Sequence, residues 1–412
     1  MLIVLVVFIG IVSFKYFLKY INLNHLKKYG KRVPPELGEH IDEDTLKKVM
    51  DYTVEHTRFS FIESIFNTVI IIIFFFGGLL SLYNSWLESL QLPFIVSGIL
   101  FFLFLSYGST VLSLPFDLYA TFKIENKYGF NTSTPRLWIT DFIKSIIIST
   151  IIISIVASVG LWLVQVSPNY WWLWVWGFFF AFSLFMMYIA PYVIEPLFNK
   201  FTPIDEDGLE DRIKLLMQRI KIKVSRVSKM DASKRSRHTN AYFTGIGRVK
   251  RIVLYDTLLN LMNHDEILAV LAHEAGHWKK RHVLKQIFIV EIFSLIGIYI
   301  AFRVFQTDFL INLFEVEKET FYVKVVLIAF IGGMVLFPVV LLNNFISRQF
   351  EREADKFACQ LIDKPEYMAS ALIKLSKDNL SNLHPHPLYA AFYYSHPPVV
   401  ARVREIRKLV TG

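Results

Sequence analysis

Five consecutive residues, His273-Glu274-Ala275-Gly276-His277, carry the most explicit chemistry in the chain. Histidines four apart in a helix stand one turn above each other on one face, so both imidazoles can hold a single zinc ion. The glutamate after the first histidine then faces the metal's open position, where it can take a proton from water. With 11 histidines in 412 residues, a random chain yields such a pentad only ~0.015 times. The surroundings read as a helix: Leu268, Val270 and Leu271 recur at helical spacing, Asn263 is a candidate N-cap, and Asp265 and Glu266 fill the first turn.

Two histidines do not complete a catalytic zinc site, so a third protein ligand must come from elsewhere, with the fourth position left to water. The best source is the segment from Ser347 to Ala358, where Glu351 and Asp355 lie one helical turn apart between Phe350, Ala354 and Phe357. One carboxylate can bind metal while the other accepts a hydrogen bond from a ligand histidine and fixes its tautomer. The competing reading is a solvated charged face, to which Arg352, Glu353 and Lys356 belong. Further along, His384, His386 and His396 fall among Tyr389, Tyr393, Tyr394 and Arg402. At least one of these histidines can donate a hydrogen bond to an oxyanion.

The elements that must position these groups are mostly membrane helices. Of the 412 residues, 54% are hydrophobic and 38 are phenylalanine, and the mean hydropathy is +0.43. Seven runs are long enough for a hydrocarbon core, roughly 2–20, 61–82, 94–114, 142–166, 171–194, 286–305 and 323–342. The first lacks a basic leader and a small-residue cleavage site and is followed by Lys15, Lys19, Lys27 and Lys28, so an uncleaved span is expected. Connections rich in Lys and Arg alternate with connections that have almost none, which places the N-terminus outside and the C-terminus in the cytoplasm. The formal net charge of +9 follows mostly from that orientation, and nucleic-acid binding is not expected. The single cysteine, Cys359, excludes an intrachain disulfide and a cysteine-rich metal site.

The chain therefore divides into spans 1–5 (1–194), a catalytic region with the zinc helix (195–285), spans 6 and 7 (286–342), and a C-terminal catalytic region with the third ligand (343–412). In the second part a charged helix is expected over 205–221. Strands are expected at 224–227 and 251–255, with a third at 240–245 that ends at glycine. The two polar parts are expected to pack together over one mouth of the helix bundle.

These residues together resemble the type I CAAX prenyl proteases, a family of integral-membrane zinc metalloendopeptidases. The resemblance rests on His273-Glu274-Ala275-Gly276-His277, the Glu351–Asp355 helix, Asn240-Ala241-Tyr242-Phe243, and Ser395-His396-Pro397-Pro398 through Arg402. Leu114-Pro115-Phe116, Phe122-Lys123-Ile124-Glu125, Tyr128-Gly129-Phe130-Asn131 and Pro196-Leu197-Phe198-Asn199-Lys200-Phe201 extend it upstream. It implies an all-α polytopic membrane protein, a hollow α-barrel of seven transmembrane helices around a water-filled chamber. A zincin-type α+β catalytic region would cap the barrel on the cytoplasmic side, and polar membrane residues such as Glu63 and Glu291 would have a chamber to face.

The resemblance also implies roles: one Zn2+ per chain on His273, His277 and Glu351, Glu274 as general base, and Asp355 supporting a ligand from behind. His396 would bind the substrate carbonyl and oxyanion, and Arg402 would help anchor the peptide. Asn240, Ala241, Tyr242 and Phe243 would form an edge strand that pairs with an extended peptide. The expected partners are the bilayer and a peptide or lipidated peptide, acted on by a monomer that removes three residues from prenylated CAAX tails.

The chain ends Arg407-Lys408-Leu409-Val410-Thr411-Gly412, without the dilysine-type signal of many eukaryotic relatives, and its loops are compact. A prokaryotic cytoplasmic-membrane protein is therefore expected, with the endoplasmic reticulum as the site if the source is eukaryotic. Because prokaryotes generally lack protein prenylation, a quality-control endoprotease without prenyl requirement is the first alternative. A metal-binding transporter or channel is the second, but it offers no use for Glu274.

Overall fold

Hydrocarbon offers the backbone no hydrogen bonds, so each long apolar run must satisfy its own amides within a helix. The computed structural model describes residues 1–38, 40–204, 208–244 and 249–411. Six helices are long and apolar enough to cross a membrane: Leu2–Tyr29, Glu43–Phe76, Phe94–Tyr128, Pro135–Val166, Trp171–Phe198 and His282–Phe305. The seventh expected span is instead a bent pair, Phe321–Val335 and Val339–Leu361, meeting at 62°. Pro338 lies at the break and cannot donate to the helix ladder, which is where a kink belongs. The second span also stops before residue 82, at Phe76. Gly77 follows and Gly78 adopts φ +80°, after which Leu79–Ser89 forms a separate short helix.

Across the six spans only 0–22% of the most apolar stretch is buried within the protein. A close-packed bundle would bury the inward side of every helix. These helices instead form the wall of a barrel, with one side toward lipid and the other toward an open interior. Contacts along the wall are partly polar: Lys19 Nζ donates to Ser60 Oγ at 2.8 Å and Ser64 Oγ at 2.7 Å. At one end of the barrel, Leu79–Ser89 and Phe309–Phe314 pack with Phe101, Leu161, Tyr322 and Leu327 into an apolar cluster. Gly98 allows that packing, because a β-carbon there would sit 2.2 Å from Leu161 Cδ1.

At the other end, residues of 195–285 and 343–412 share one hydrophobic core, joined by Leu37, Ile41 and Leu46 from the first connection. Among the described residues four strands lie within it: β1 Phe201–Pro203, β2 Lys223–Met230, β3 Ala241–Thr244 and β4 Val249–Tyr255, in the order β1-β2-β4-β3. β2 and β4 are parallel, whereas β3 runs antiparallel to β4 with Ala241 opposite Leu254 and Phe243 opposite Ile252. β1 was not anticipated, being only three residues long. The charged helix spans Leu209–Arg219. Asp205 and Glu206, expected in it, and Gly245, expected to end the third strand, lie outside the described residues.

His238 ties this end to the barrel just before β3. Its Nδ1 lies 2.7 Å from Asn379 Oδ1 and its Nε2 3.4 Å from Glu125 Oε2, with the ring stacked on Phe130. The Glu125 hydrogen bond raises the His238 pKa above its ordinary value, against the effect of burial. The protonated contact therefore stabilises fully below about pH 6.5 and is lost as pH rises through the raised folded value. The His238→Gln variant should lower the Tm more at about pH 5.5 than at about pH 9. An equal or larger loss at the higher pH contradicts the pairing.

Candidate metal centre

The metal helix, His264–Lys279, starts where the sequence places it. Asn263 accepts from Glu266 N at 3.0 Å and Glu266 Oε2 accepts from Asn263 N at 2.9 Å, a reciprocal cap on the orphan amides. Ile267, Leu271 and Ala275 enter the core. The ligand helix, Val339–Leu361, packs directly against it, and Gly276 sets the separation. A β-carbon at Gly276 would lie 3.0 Å from Ala354 Cα and 3.2 Å from Ala354 O.

That approach brings three donors together. His273 Nε2 lies 3.2 Å from His277 Nε2. Glu351 Oε1 lies 3.2 Å from His277 Nε2, and Oε2 lies 3.4 Å from His273 Nε2. Donors about 2.05 Å from a tetrahedral zinc ion stand about 3.3 Å apart, so these spacings fit one ion. Among the described residues, His273, His277 and Glu351 are the group that could hold a metal. Glu351 Oε2 is buried without a well-formed hydrogen bond, with only the longer contacts to His273 Nε2 at 3.4 Å and Arg402 Nη1 at 3.6 Å, which suits a carboxylate oxygen facing a cation.

The electrostatics point the same way. Burial alone would lower the His273 pKa, but the neighbouring Asp355 and Glu351 carboxylates, which accept from its ring nitrogens, raise it to about 9. Burial raises the Glu274 carboxyl above its ordinary value, toward the range of a useful base. Glu274, Glu351 and Asp355 gather around the buried Arg402 and His273, an acidic cluster that suits a cation.

Asp355 Oδ1 lies 2.8 Å from His273 Nδ1, which turns the opposite ring nitrogen toward the metal position. Arg402 is the residue expected to help anchor the peptide. It is buried at 8% exposure and donates to both Asp355 oxygens at 2.6 and 2.8 Å, so here it braces the carboxylate behind His273.

Of the three C-terminal histidines only His396 reaches the metal position, its Nε2 3.3 Å from Glu351 Oε1. His384 bonds Arg32 O, and His386 caps the helix Pro387–Tyr393. Arg348 of the ligand helix donates to the carbonyls of Ala390, Ala391 and Tyr394, which fixes the turn leading to His396.

β3 is an edge strand beside the metal helix. Asn240 is exposed just before it, Ala241 is buried, and Phe243 is partly buried against the core. Tyr242 Oη donates to Glu195 Oε2 at 2.6 Å, tethering the strand to the fifth span. His282, which sequence reasoning passed over, is buried against His277. A third histidine five residues beyond the pair was its only signal. Glu353, read as part of a solvated face, bonds His282.

A helical membrane barrel capped by this His-Glu-His and carboxylate constellation defines an integral-membrane metalloendopeptidase. Residues 22–200 match the family model "CAAX prenyl protease N-terminal, five membrane helices", and residues 203–410 match "Peptidase family M48". CAAX prenyl protease 1 of Saccharomyces cerevisiae is 34% identical, covering 95% of this chain and 91% of that protein. The CAAX prenyl protease 1 homolog of Homo sapiens is 31% identical over 92% of this chain and 89% of that protein. The crystal structure of S. mikatae Ste24p superposes with a TM-score of 0.91 at 30% identity, covering 98% of each chain. The chain belongs to peptidase family M48, among the CAAX prenyl proteases.

The separation set by Gly276 is testable. Gly276→Val should overpack the helix contact at a cost of about 1–3 kcal/mol. It should also weaken metal binding in a chelator competition, and unchanged affinity would show that the helices can part without disturbing the donors.

Proposed function

We propose that this chain is a zinc endopeptidase that removes the last three residues of prenylated Cys-aliphatic-aliphatic-X tails. The observation that carries the reading is the meeting of His273, His277, Glu351 and Glu274 beside the open edge of β3 at one end of the barrel. Two imidazoles and a carboxylate without sulfur are the donor set of catalytic zinc in hydrolases. The substrate class is supported by the names of the relatives, CAAX prenyl proteases of fungi and animals. Both of these relatives are eukaryotic, so they lend the expectation of a prokaryotic source no support.

In this mechanism the peptide lies extended along β3, its backbone paired with the free strand edge. Zinc, when bound, supplies Lewis acidity to the scissile carbonyl and acidifies water. Glu274 takes the proton of the attacking water and delivers it to the leaving amine. His396, whose side chain is 60% exposed, reaches the carbonyl oxygen and donates to it as charge develops. Asp355 and Arg402 keep His273 in the tautomer whose Nε2 faces the metal.

The connections after the first and third spans meet the catalytic parts at the metal end, Glu36 pairing with Arg404 and Asp141 with Arg235. By the positive-inside rule this end is cytoplasmic and the N-terminus lies outside. All proposed ligands come from one chain, so a single chain can complete the site.

The test compares wild type with Glu274→Ala, each with its metal content measured, on a farnesylated C-terminal peptide and its unprenylated twin. Wild type should cleave the farnesylated peptide, and the variant should keep its metal while losing about 10²–10⁴-fold in rate. Equal cleavage of both peptides would favour membrane-protein quality control, and metal binding without any cleavage by wild type would overturn the reading.

A further inference from the structure

His282 is 2% exposed, yet both of its ring nitrogens have specific partners. Its Nδ1 lies 3.1 Å from Nδ1 of His277, and its Nε2 lies 3.1 Å from Glu353 Oε2. The ring stacks on Phe350 with centroids 4.3 Å apart and planes 8° from parallel. Arg281, the residue before it, holds a left-handed φ of +57°. That turn, where the metal helix gives way to the span His282–Phe305, is rarely adopted by a residue with a β-carbon.

We infer that His282 is a positioning residue for the metal site, fixing His277 as Asp355 fixes His273. The inference rests on the metal-centre reading above. His277 turns Nε2 toward the metal position, so its proton must reside on Nδ1. The group within reach of that proton is Nδ1 of His282, which can accept only if the His282 proton is on Nε2. That second proton is donated to Glu353. Each hydrogen bond thus selects the tautomer of the next ring, and the chain ends on a carboxylate whose side chain is 48% exposed.

Phe350 and Glu353 belong to the same helix as Glu351 and Asp355. One helix therefore supplies a ligand, the support behind one histidine, and the two groups that hold the support behind the other. The two supports differ in charge. A braced carboxylate lies behind His273, and a neutral imidazole lies behind His277, so the second adds direction without further negative charge.

The test uses full-length protein in detergent, with zinc affinity from chelator competition and the absorption spectrum of the cobalt-substituted form. His282→Phe keeps the stacking but removes the acceptor. It should weaken zinc about 10–100-fold and alter the cobalt spectrum. His282→Asn, whose Oδ1 stands in for Nδ1, should restore most of the affinity. Glu353→Ala, a change at a half-exposed position that leaves the buried ring in place, should weaken zinc by a smaller factor. Unchanged affinity in both His282→Phe and Glu353→Ala overturns the inference, as does equal weakening by Phe and Asn, which would mean a packing role. Wild type without stoichiometric metal would overturn the metal centre itself, and this inference with it.

Discussion

The distance between two helices governs everything at this site. His273 and His277 can share an ion with Glu351 only if the metal helix and the ligand helix come nearly to backbone contact. Gly276 and Ala354 are small enough to permit it. At such a junction each added methyl group must displace backbone instead of side chain, so the contact is effectively a fixed spacer. The surrounding core holds that spacer still. Ile267, Leu271 and Ala275 bury one face of the metal helix, while Ala358 and Cys359 bury the neighbouring face of the ligand helix.

Such an approach concentrates charge where water is scarce. Glu274, Glu351 and Asp355 crowd around two histidines with one guanidinium, an arrangement that is costly unless it is neutralised. Arg402 offsets one carboxylate through a two-point contact with Asp355, and a divalent cation completes the balance. Burial keeps Glu274 a stronger base than an exposed glutamate, which suits its place in the chemistry.

Much of this was legible in the chain because zinc ligation imposes rigid spacing. The histidine pair, its N-cap and the carboxylate helix all stand where helical periodicity puts them. The edge strand was legible too, since Ala241-Tyr242-Phe243-Thr244 is a short apolar run rich in strand-forming residues. Broken or bent elements were harder to read. The seventh span reads as one apolar run, and only the structure shows its 62° bend. Spacing alone leaves the three C-terminal histidines equivalent; the resemblance singles out His396, and tertiary contacts with Arg32 and Arg348 give the physical reason. Arg402 and Glu353 show the main limit. A charge beside a motif looks the same in sequence whether it meets substrate, solvent or the back of a ligand, because burial is decided by elements far away in the chain.

The central claim is that two imidazoles and one carboxylate from this chain hold a single zinc ion. X-ray absorption at the zinc edge, on purified protein with its metal content measured, tests it most directly. The account predicts one zinc per chain, with only nitrogen and oxygen neighbours at about 2.0–2.2 Å, two of them imidazole. Loss of one oxygen-type neighbour in Glu351→Ala, with both imidazoles retained, would complete the agreement. A coordination shell unchanged in that variant, or one without two imidazoles in wild type, would contradict it.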